Sequence, residues 1–121
     1  MLLKTMSIDK IFKALSDKSR LRIMNILFQS ELCVCEIEGI LGLSQTNVSR
    51  HLIKLHQTGI LDSRKEAQWV YYRINQDFIK EHPDLVRYLK KTFKNNDAFH
   101  FDSNNLLEMK SKVSCGLSLK C

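Results

Sequence analysis

The sequence predicts a mainly α-helical domain that carries one small β-hairpin, and three patterns support this. Apolar residues recur at helical spacing in four successive segments, and Gly42 and Gly59 stand where two of these segments should end. Two β-like runs follow, Ile60–Lys65 and Trp69–Ile74, and another helical stretch comes after them. The order helix, helix, helix, helix, hairpin, helix is that of a winged helix-turn-helix. At 121 residues the chain forms one domain, small enough to gain stability from dimerising.

The first four helices are predicted from their apolar spacing and from N-cap and C-cap residues. Their predicted positions are Ser7–Ser16, a second segment capped by Asp17 or Ser19, Glu31–Leu41, and Ser44–Thr58. The inward stripe of the fourth helix consists of Val48, Leu52 and Leu55, at spacing i, i+4, i+7. Such a stripe leaves the opposite face of the fourth helix for contacts outside the core.

The chain after the hairpin is predicted to be helical in two parts. Asp77 opens a stretch that reaches Phe93, and Pro83 should bend this stretch or delay its start. A last helix contains Leu106, Leu107 and Met109. We therefore expect a DNA-binding and dimerisation domain over residues 1–112 and a flexible, cysteine-containing tail over residues 113–121.

The charge and the cysteines restrict the class of protein. Lys and Arg number 19 against 13 Asp and Glu, giving a net charge of +6 and a pI near 9.3, as expected of a nucleic-acid binder. No apolar run approaches the roughly 20 residues that span a bilayer, and the N-terminus does not resemble a signal peptide. We expect a cytoplasmic protein without a membrane partner. In that compartment the four cysteines indicate metal or redox chemistry rather than a disulfide framework.

The fourth helix has the residues of a recognition helix. In a helix-turn-helix, the N-terminal part of the second helix reads base edges in the major groove. Arg50, Gln45 and Ser49 are the predicted base readers, and Lys54 and His51 could hold phosphates. The full set predicted to contact double-stranded DNA adds Thr46 and Asn47 on the helix, and Arg64, Lys65, Gln68 and Arg73 on the hairpin.

Two thiols lie one residue apart at the predicted start of the third helix, Cys33 and Cys35. Thiolates select soft metals and metalloids. On a regular helix, residues i and i+2 project roughly 200° apart, so one ion could not readily hold both sulfurs. We therefore predict that ligation distorts the start of the third helix and shifts the recognition helix beside it.

Four segments together resemble the ArsR/SmtB family of bacterial metalloregulatory repressors. They are Phe12–Ile23, Glu31–Ile37, Leu43–Leu52 and Gly59–Arg73. The resemblance implies a homodimeric winged helix that represses an operator and leaves it when a toxic metal or metalloid binds. It also implies dimer contacts from the first helix and from the helix after the wing, here Ile8, Ile11, Phe12, Leu15, Leu85, Leu89 and Phe93.

The resemblance further implies a ligand and its donors. The Leu-Cys-Val-Cys element resembles the arsenic-responsive and the cadmium/lead-responsive branches, but Glu38 stands where some arsenic sensors have a third cysteine. Other arsenic sensors place cysteines after the last helix, which makes Cys115 the expected third thiolate and Cys121 a further candidate. As(III) or Sb(III) would take three thiolates, whereas Cd(II) would take four donors and Pb(II) suits a three-thiolate site as well. No organic cofactor is expected.

Three other functions would also use these cysteines. A redox repressor would join Cys33 or Cys35 to Cys115 or Cys121 on oxidation. A thiol enzyme such as an arsenate reductase would need an activated thiolate in an anion-binding loop, whereas acidic residues surround this pair and no glycine-rich loop is present. A metal carrier would not need a recognition helix or a wing. We therefore expect a transcriptional repressor and not an enzyme.

Overall fold

The computed structural model describes residues 7–114 of the chain, which form seven helices and three short strands. In chain order these are α1 (Ile8–Leu15), α2 (Lys18–Gln29), β1 (Leu32–Cys33), α3 (Val34–Leu41), α4 (Gln45–Thr58), β2 (Leu61–Glu66), β3 (Trp69–Ile74), α5 (Gln76–Glu81), α6 (Pro83–Lys94) and α7 (Asp97–Ser114). The architecture is a winged helix-turn-helix, as the sequence predicts.

The helix ends follow the capping residues. The Asp17 side chain accepts a hydrogen bond from the Arg20 backbone N–H at 3.1 Å, and Ser44 Oγ accepts one from the Asn47 N–H at 3.2 Å. Gly42 and Gly59 adopt left-handed conformations with φ of 69° and 91°, which end α3 and α4. Of these caps, Gly42 and Ser44 flank the turn between α3 and α4, the two helices of the helix-turn-helix.

The sheet has one more strand than the sequence predicts. β2 and β3 form the expected antiparallel hairpin, but β1 pairs with the other edge of β3, so the order is β1-β3-β2. Leu32 lies opposite Tyr72 and Cys33 opposite Tyr71. The prediction that α3 begins at Glu31 was wrong, because Leu32 and Cys33 join the sheet and α3 begins only at Val34. The thiol segment is therefore part of the base of the wing.

Pro83 divides the stretch after the wing. α5 ends at Glu81, and α6 begins at Pro83, whose missing backbone N–H is tolerated at the first position of a helix. α7 then continues to Ser114, so the domain boundary predicted after residue 112 falls inside a helix. Cys115 and Cys121 lie outside the described residues.

One apolar core holds these elements together. Val48, Leu52 and Leu55 of α4 are fully buried in it, which confirms the predicted inward stripe. α7 packs against α2, α3 and α6. Within residues 7–114, no helix has the length and apolarity that crossing a membrane requires.

Candidate nucleic-acid interface and thiol cleft

The outer face of α4 carries the residues predicted to read DNA. Gln45, Thr46, Ser49 and Arg50 line one shallow depression on this face, and Asn47 and Lys54 are exposed beside it. The Arg50 guanidinium donates to Asn47 Oδ1 at 3.1 Å, so the two side chains are oriented together. The structure therefore places six of the predicted α4 side chains where a DNA groove could reach them.

Ile53 lies in the same depression and was missed by the sequence analysis. Its side chain is 51% exposed, although the other large aliphatic side chains of α4 are buried in the core. An apolar side chain among the polar groups predicted to read bases suits contact with a thymine methyl group. The signal available in the sequence was an isoleucine one turn after Ser49, on the polar side of the stripe.

His51 does not belong to this outer face, which corrects its predicted role as a phosphate contact. The imidazole is only 5% exposed, and its Nδ1 lies 3.5 Å from Nη1 of Arg20 on α2. Burial lowers the pKa of His51, and the neighbouring Asp17 carboxylate opposes this shift. The His51 side chain therefore packs between α2 and α4.

Two of the four predicted wing residues are held in ion pairs within the protomer. Arg64 donates to both Glu31 carboxylate oxygens at 2.7 and 3.0 Å and to Glu66 at 2.6 Å. These hydrogen bonds raise the pKa of Arg64. Arg73 donates to Asp62 at 3.0 Å and lies 3.8 Å from Glu31. The Arg64 charge is therefore already matched by carboxylates, and that of Arg73 is partly matched.

The predicted DNA-contacting residues at the tip of the wing are exposed, whereas the arginines at its base are ion-paired. Lys65 and Gln68 are exposed, and Gln68 follows Ala67, which has a positive φ of 57° in the tight turn. An exposed lysine at the end of a hairpin is suited to a phosphate contact. Of the predicted wing residues, Lys65 and Gln68 are the ones whose side chains remain available.

Cys33 is a buried thiol at the junction of sheet and helix. Cys33 is the N-cap of α3 and has an extended backbone conformation. Its backbone N–H donates to Glu36 Oε1 at 3.0 Å. Burial raises the pKa of the Cys33 thiol, whereas the backbone N–H groups of Glu36 and Cys35 favour the thiolate. Cys33 thus lies before the first residue of α3, whereas the predicted separation of roughly 200° between the two cysteines assumed that both lie on a regular helix.

Cys35 is half-buried and lines a cleft of about 380 Å³ between α3 and α7. Glu36 and Gly39 belong to the same wall, and Glu108, Met109 and Lys112 of α7 form the facing one. Among residues 7–114, no three His, Cys, Asp or Glu side chains are grouped closely enough to hold a metal ion. Cys35 is disulfide-bonded in this structure. A thiolate site that includes both Cys33 and Cys35 therefore needs reduction of that bond and a change at the start of α3.

The predicted dimer residues separate into two groups. Ile11, Leu15, Leu89 and Phe93 are buried in the protomer core, so the prediction that they form the contact surface needs correction. Leu85 is half-buried, while Ile8 and Phe12 on α1 are each 55% exposed. Helical spacing identified apolar stripes correctly but could not separate the core side of a stripe from its outer edge.

Comparison with known proteins agrees with this architecture. A family model described as "Bacterial regulatory protein, arsR family" matches residues 17–63. The arsenic resistance transcriptional regulator ArsR1 of Pseudomonas putida is 37% identical over 115 residues, which cover 87% of this chain and 84% of that protein. A homolog of the cadmium resistance regulatory protein CadC from Staphylococcus aureus is 40% identical over 77 residues, covering 63% of this chain and 64% of that protein.

A solved structure extends the likeness to three dimensions. The homodimeric winged helix-turn-helix DNA-binding domain Mb0332 of Mycobacterium bovis superposes with a TM-score of 0.61. It is 29% identical in sequence, and the match covers 70% of this chain and 79% of that one. The fold is a winged helix-turn-helix whose second helix exposes polar side chains, and ArsR1 aligns with most of this chain. This chain therefore belongs to the arsR family of bacterial regulatory proteins.

Proposed function

We propose that this protein is a homodimeric repressor that binds operator DNA and is released when As(III) or Sb(III) binds to the thiolates of Cys33, Cys35 and Cys115. The observation that carries the proposal is the position of the thiol cleft. Cys35 faces the last turns of α7, and α7 ends at Ser114, the residue directly before Cys115. The chain therefore needs no long connection to bring a third thiolate toward the cleft.

The chemistry of the donors fits a trivalent metalloid. Arsenous acid, As(OH)₃, can exchange its three As–O bonds for three As–S bonds, and the three thiol protons leave in three water molecules. Soft thiolate donors favour this ligand over hard cations. The relative ArsR1, named for arsenic resistance, aligns over 87% of this chain and supports the same choice.

Ligation has a direct consequence for the start of α3. Cys33 is buried at the sheet edge and its N–H is held by Glu36, whereas Cys35 lines the cleft toward α7. Bringing both sulfurs to one atom would disturb this N-terminal turn. Because α3 leads through Gly42 into the recognition helix, the disturbance lies one helix away from the DNA-reading residues.

Cadmium or lead as the inducer is the second candidate, and a specific observation favours it. Glu36 and Glu108 line the same cleft as Cys35, and a four-donor Cd(II) site would form there if these carboxylates moved closer together than they are in this structure. The similarity to the CadC homolog points in the same direction. The two proposals differ in whether a carboxylate or only thiolates are needed.

The test is a fluorescence-anisotropy titration of the reduced protein on its own promoter DNA. As(III), Sb(III), Cd(II), Pb(II) and Zn(II) are added separately to the wild type and to Cys33→Ser, Cys35→Ser, Cys115→Ser and Cys121→Ser. We expect As(III) to weaken DNA binding, and each of the first three substitutions to abolish that response while Cys121→Ser retains it. Glu108→Gln should leave the response to As(III) unchanged.

Three results would count against the proposal. Release by Cd(II) that depends on Glu108, without release by As(III), would establish the second candidate. A response to As(III) that survives Cys115→Ser would remove that residue from the site. Release by peroxide alone, reversed by a thiol reductant, would instead identify a redox repressor.

A further inference from the structure

The C-terminal end of α3 is held by side chains from outside the helix. Backbone carbonyls in the last turn of a helix have no partner within it. Here Asn105 Nδ2 of α7 donates to the Ile40 carbonyl at 3.1 Å, and Arg22 Nη2 of α2 donates to the Leu41 carbonyl at 2.8 Å. These are the last two residues of α3 before the Gly42 turn that leads to the recognition helix.

Arg22 is in turn positioned by α7. Its Nε donates to Asp102 Oδ2 at 2.8 Å and its Nη2 to Asp102 Oδ1 at 3.0 Å, a bidentate arrangement. Asp102 is 1% exposed, and a buried carboxylate that lost its partner would be costly. The position of the Arg22 fork therefore depends on the position of α7.

The same helix forms one wall of the thiol cleft. Glu108, Met109 and Lys112 face Cys35, and Asn105 lines the cleft as well as binding the Ile40 carbonyl. From Asp102 to Ser114 the helix extends about 18 Å at the α-helical rise per residue. One continuous helix thus lines the cleft at Cys35 and also contacts the Ile40 carbonyl just before the turn.

We propose that α7 is the coupling element of this regulator, with Asp102 and Asn105 as positioning residues that transmit ligand binding at the thiol cleft to the turn between α3 and α4. The inference rests on the proposed function, because Cys115 directly follows α7. Once its disulfide is reduced, Cys35 binds the ligand together with Cys115, and α7, which faces Cys35, shifts or rotates. The Asp102–Arg22 and Asn105 contacts carry this change to the Ile40 and Leu41 carbonyls. The recognition helix then changes its angle on the operator.

The test separates ligand binding from its effect on DNA. The variants Asp102→Asn and Asn105→Ala each weaken one of the two contacts, and Asn104→Ala is a matched control because Asn104 is exposed on the same helix. Arsenite affinity is measured by calorimetry, and the Kd for promoter DNA is measured by anisotropy without arsenite and at saturating arsenite. The ratio of the two DNA constants reports the coupling.

We expect the wild type and Asn104→Ala to show a ratio of about 5- to 150-fold, the usual range of allosteric coupling. In Asp102→Asn and Asn105→Ala the ratio should fall to within about threefold of unity, with arsenite affinity changed by less than about threefold. In the same proteins, arsenite should alter amide hydrogen exchange at the α3–α4 turn of the wild type but not of the two variants. A residue that only stabilises the fold would not move this ratio at constant arsenite affinity.

Different failures have different meanings in this design. If Asp102→Asn and Asn105→Ala bind arsenite and keep the full wild-type ratio, the coupling role of α7 is overturned and the proposed function stands. If the wild type binds arsenite and stays on DNA, the proposed function is overturned together with this inference. If Asp102→Asn does not fold, Asn105→Ala alone decides, since it removes a single hydrogen bond from a half-buried side chain.

Discussion

At the scale of single residues, burial separates the histidine on α4 from its exposed neighbours. His51 is enclosed between α2 and α4, and burial lowers its pKa. When the folded-state pKa lies below that of the unfolded chain, stability is complete above the unfolded value, about 6.5, and declines as the pH falls below it. His51 therefore makes the folded protein sensitive to mild acid.

The expected result is a pH-dependent difference between the wild type and His51→Gln. As the pH falls from 7.5 to 5.5 the wild type should lose unfolding free energy through this group, and His51→Gln should not show that part of the loss. Urea unfolding at the two pH values measures it, with His100→Gln as an exposed control. Equal losses in the wild type and His51→Gln would show that the imidazole is solvated in both states.

Ile53 offers a second residue-scale prediction, now for DNA recognition. Its side chain is half exposed beside Ser49 and Arg50, so Ile53→Ala should leave the unfolding free energy nearly unchanged. If the side chain is buried against a base methyl group, the substitution should weaken operator binding by about 1–2 kcal/mol, or about 5- to 30-fold in Kd. The salt dependence should not change, because no charge is lost. Leu107→Ala, an exposed position on α7, is the control and should bind like the wild type.

At the scale of elements, the wing has a structural base and an available tip. Arg64 is neutralised by Glu31 and Glu66, whereas Lys65 is exposed. Each phosphate contact contributes about 0.9 to the slope of log K against log salt. Lys65→Ala should therefore reduce the slope of the dimer by about 1.8, and Arg64→Ala should reduce it much less while lowering the Tm. Anisotropy titrations at several salt concentrations, with thermal melts, decide this. A slope reduced equally by both substitutions would mean that Arg64 leaves its carboxylates to bind phosphate.

The elements also show what a sequence can and cannot predict here. Local signals were sufficient for the helices around the DNA-reading turn, because Asp17, Ser44, Gly42 and Gly59 act on their own neighbours in the chain. β1 could not be recognised, since two residues have no periodicity and their partners on β3 lie about 40 positions further along the chain. The three-strand base of the wing is thus a product of tertiary pairing.

Some properties of the site residues could likewise be predicted from local sequence, and others depend on tertiary contacts. Val48, His51, Leu52 and Leu55 have the spacing i, i+3, i+4, i+7, so a stricter reading of the stripe would have placed His51 inside. The pairing of Glu31 with Arg64 and Arg73 joins residues over 30 positions apart, and nothing local indicates it. The chemistry of the two cysteines was readable from the sequence, but the cleft that Cys35 shares with α7 required the fold.

At the scale of the whole molecule, the proposed function requires two copies. Operators of helix-turn-helix dimers present half-sites about 34 Å apart, which one recognition helix cannot span. Ile8 and Phe12 lie one turn apart on α1 and remain exposed in the protomer, together with Tyr88 on α6. Two neighbouring large apolar side chains on one helix face are an expected contact for a second copy.

Phe12→Ser should therefore convert the dimer into a monomer without unfolding it, because the side chain is 55% exposed in the protomer. Sedimentation velocity would show the change in mass, circular dichroism would show retained helix content, and operator binding should weaken by at least about 100-fold, since one half-site is lost. Leu107→Ser, equally exposed but on α7, is the matched control and should remain dimeric. If Leu107→Ser dissociates the dimer and Phe12→Ser does not, the two copies meet through α7. Ligand binding at the thiol cleft would then act directly on the subunit interface as well as on the turn before the recognition helix.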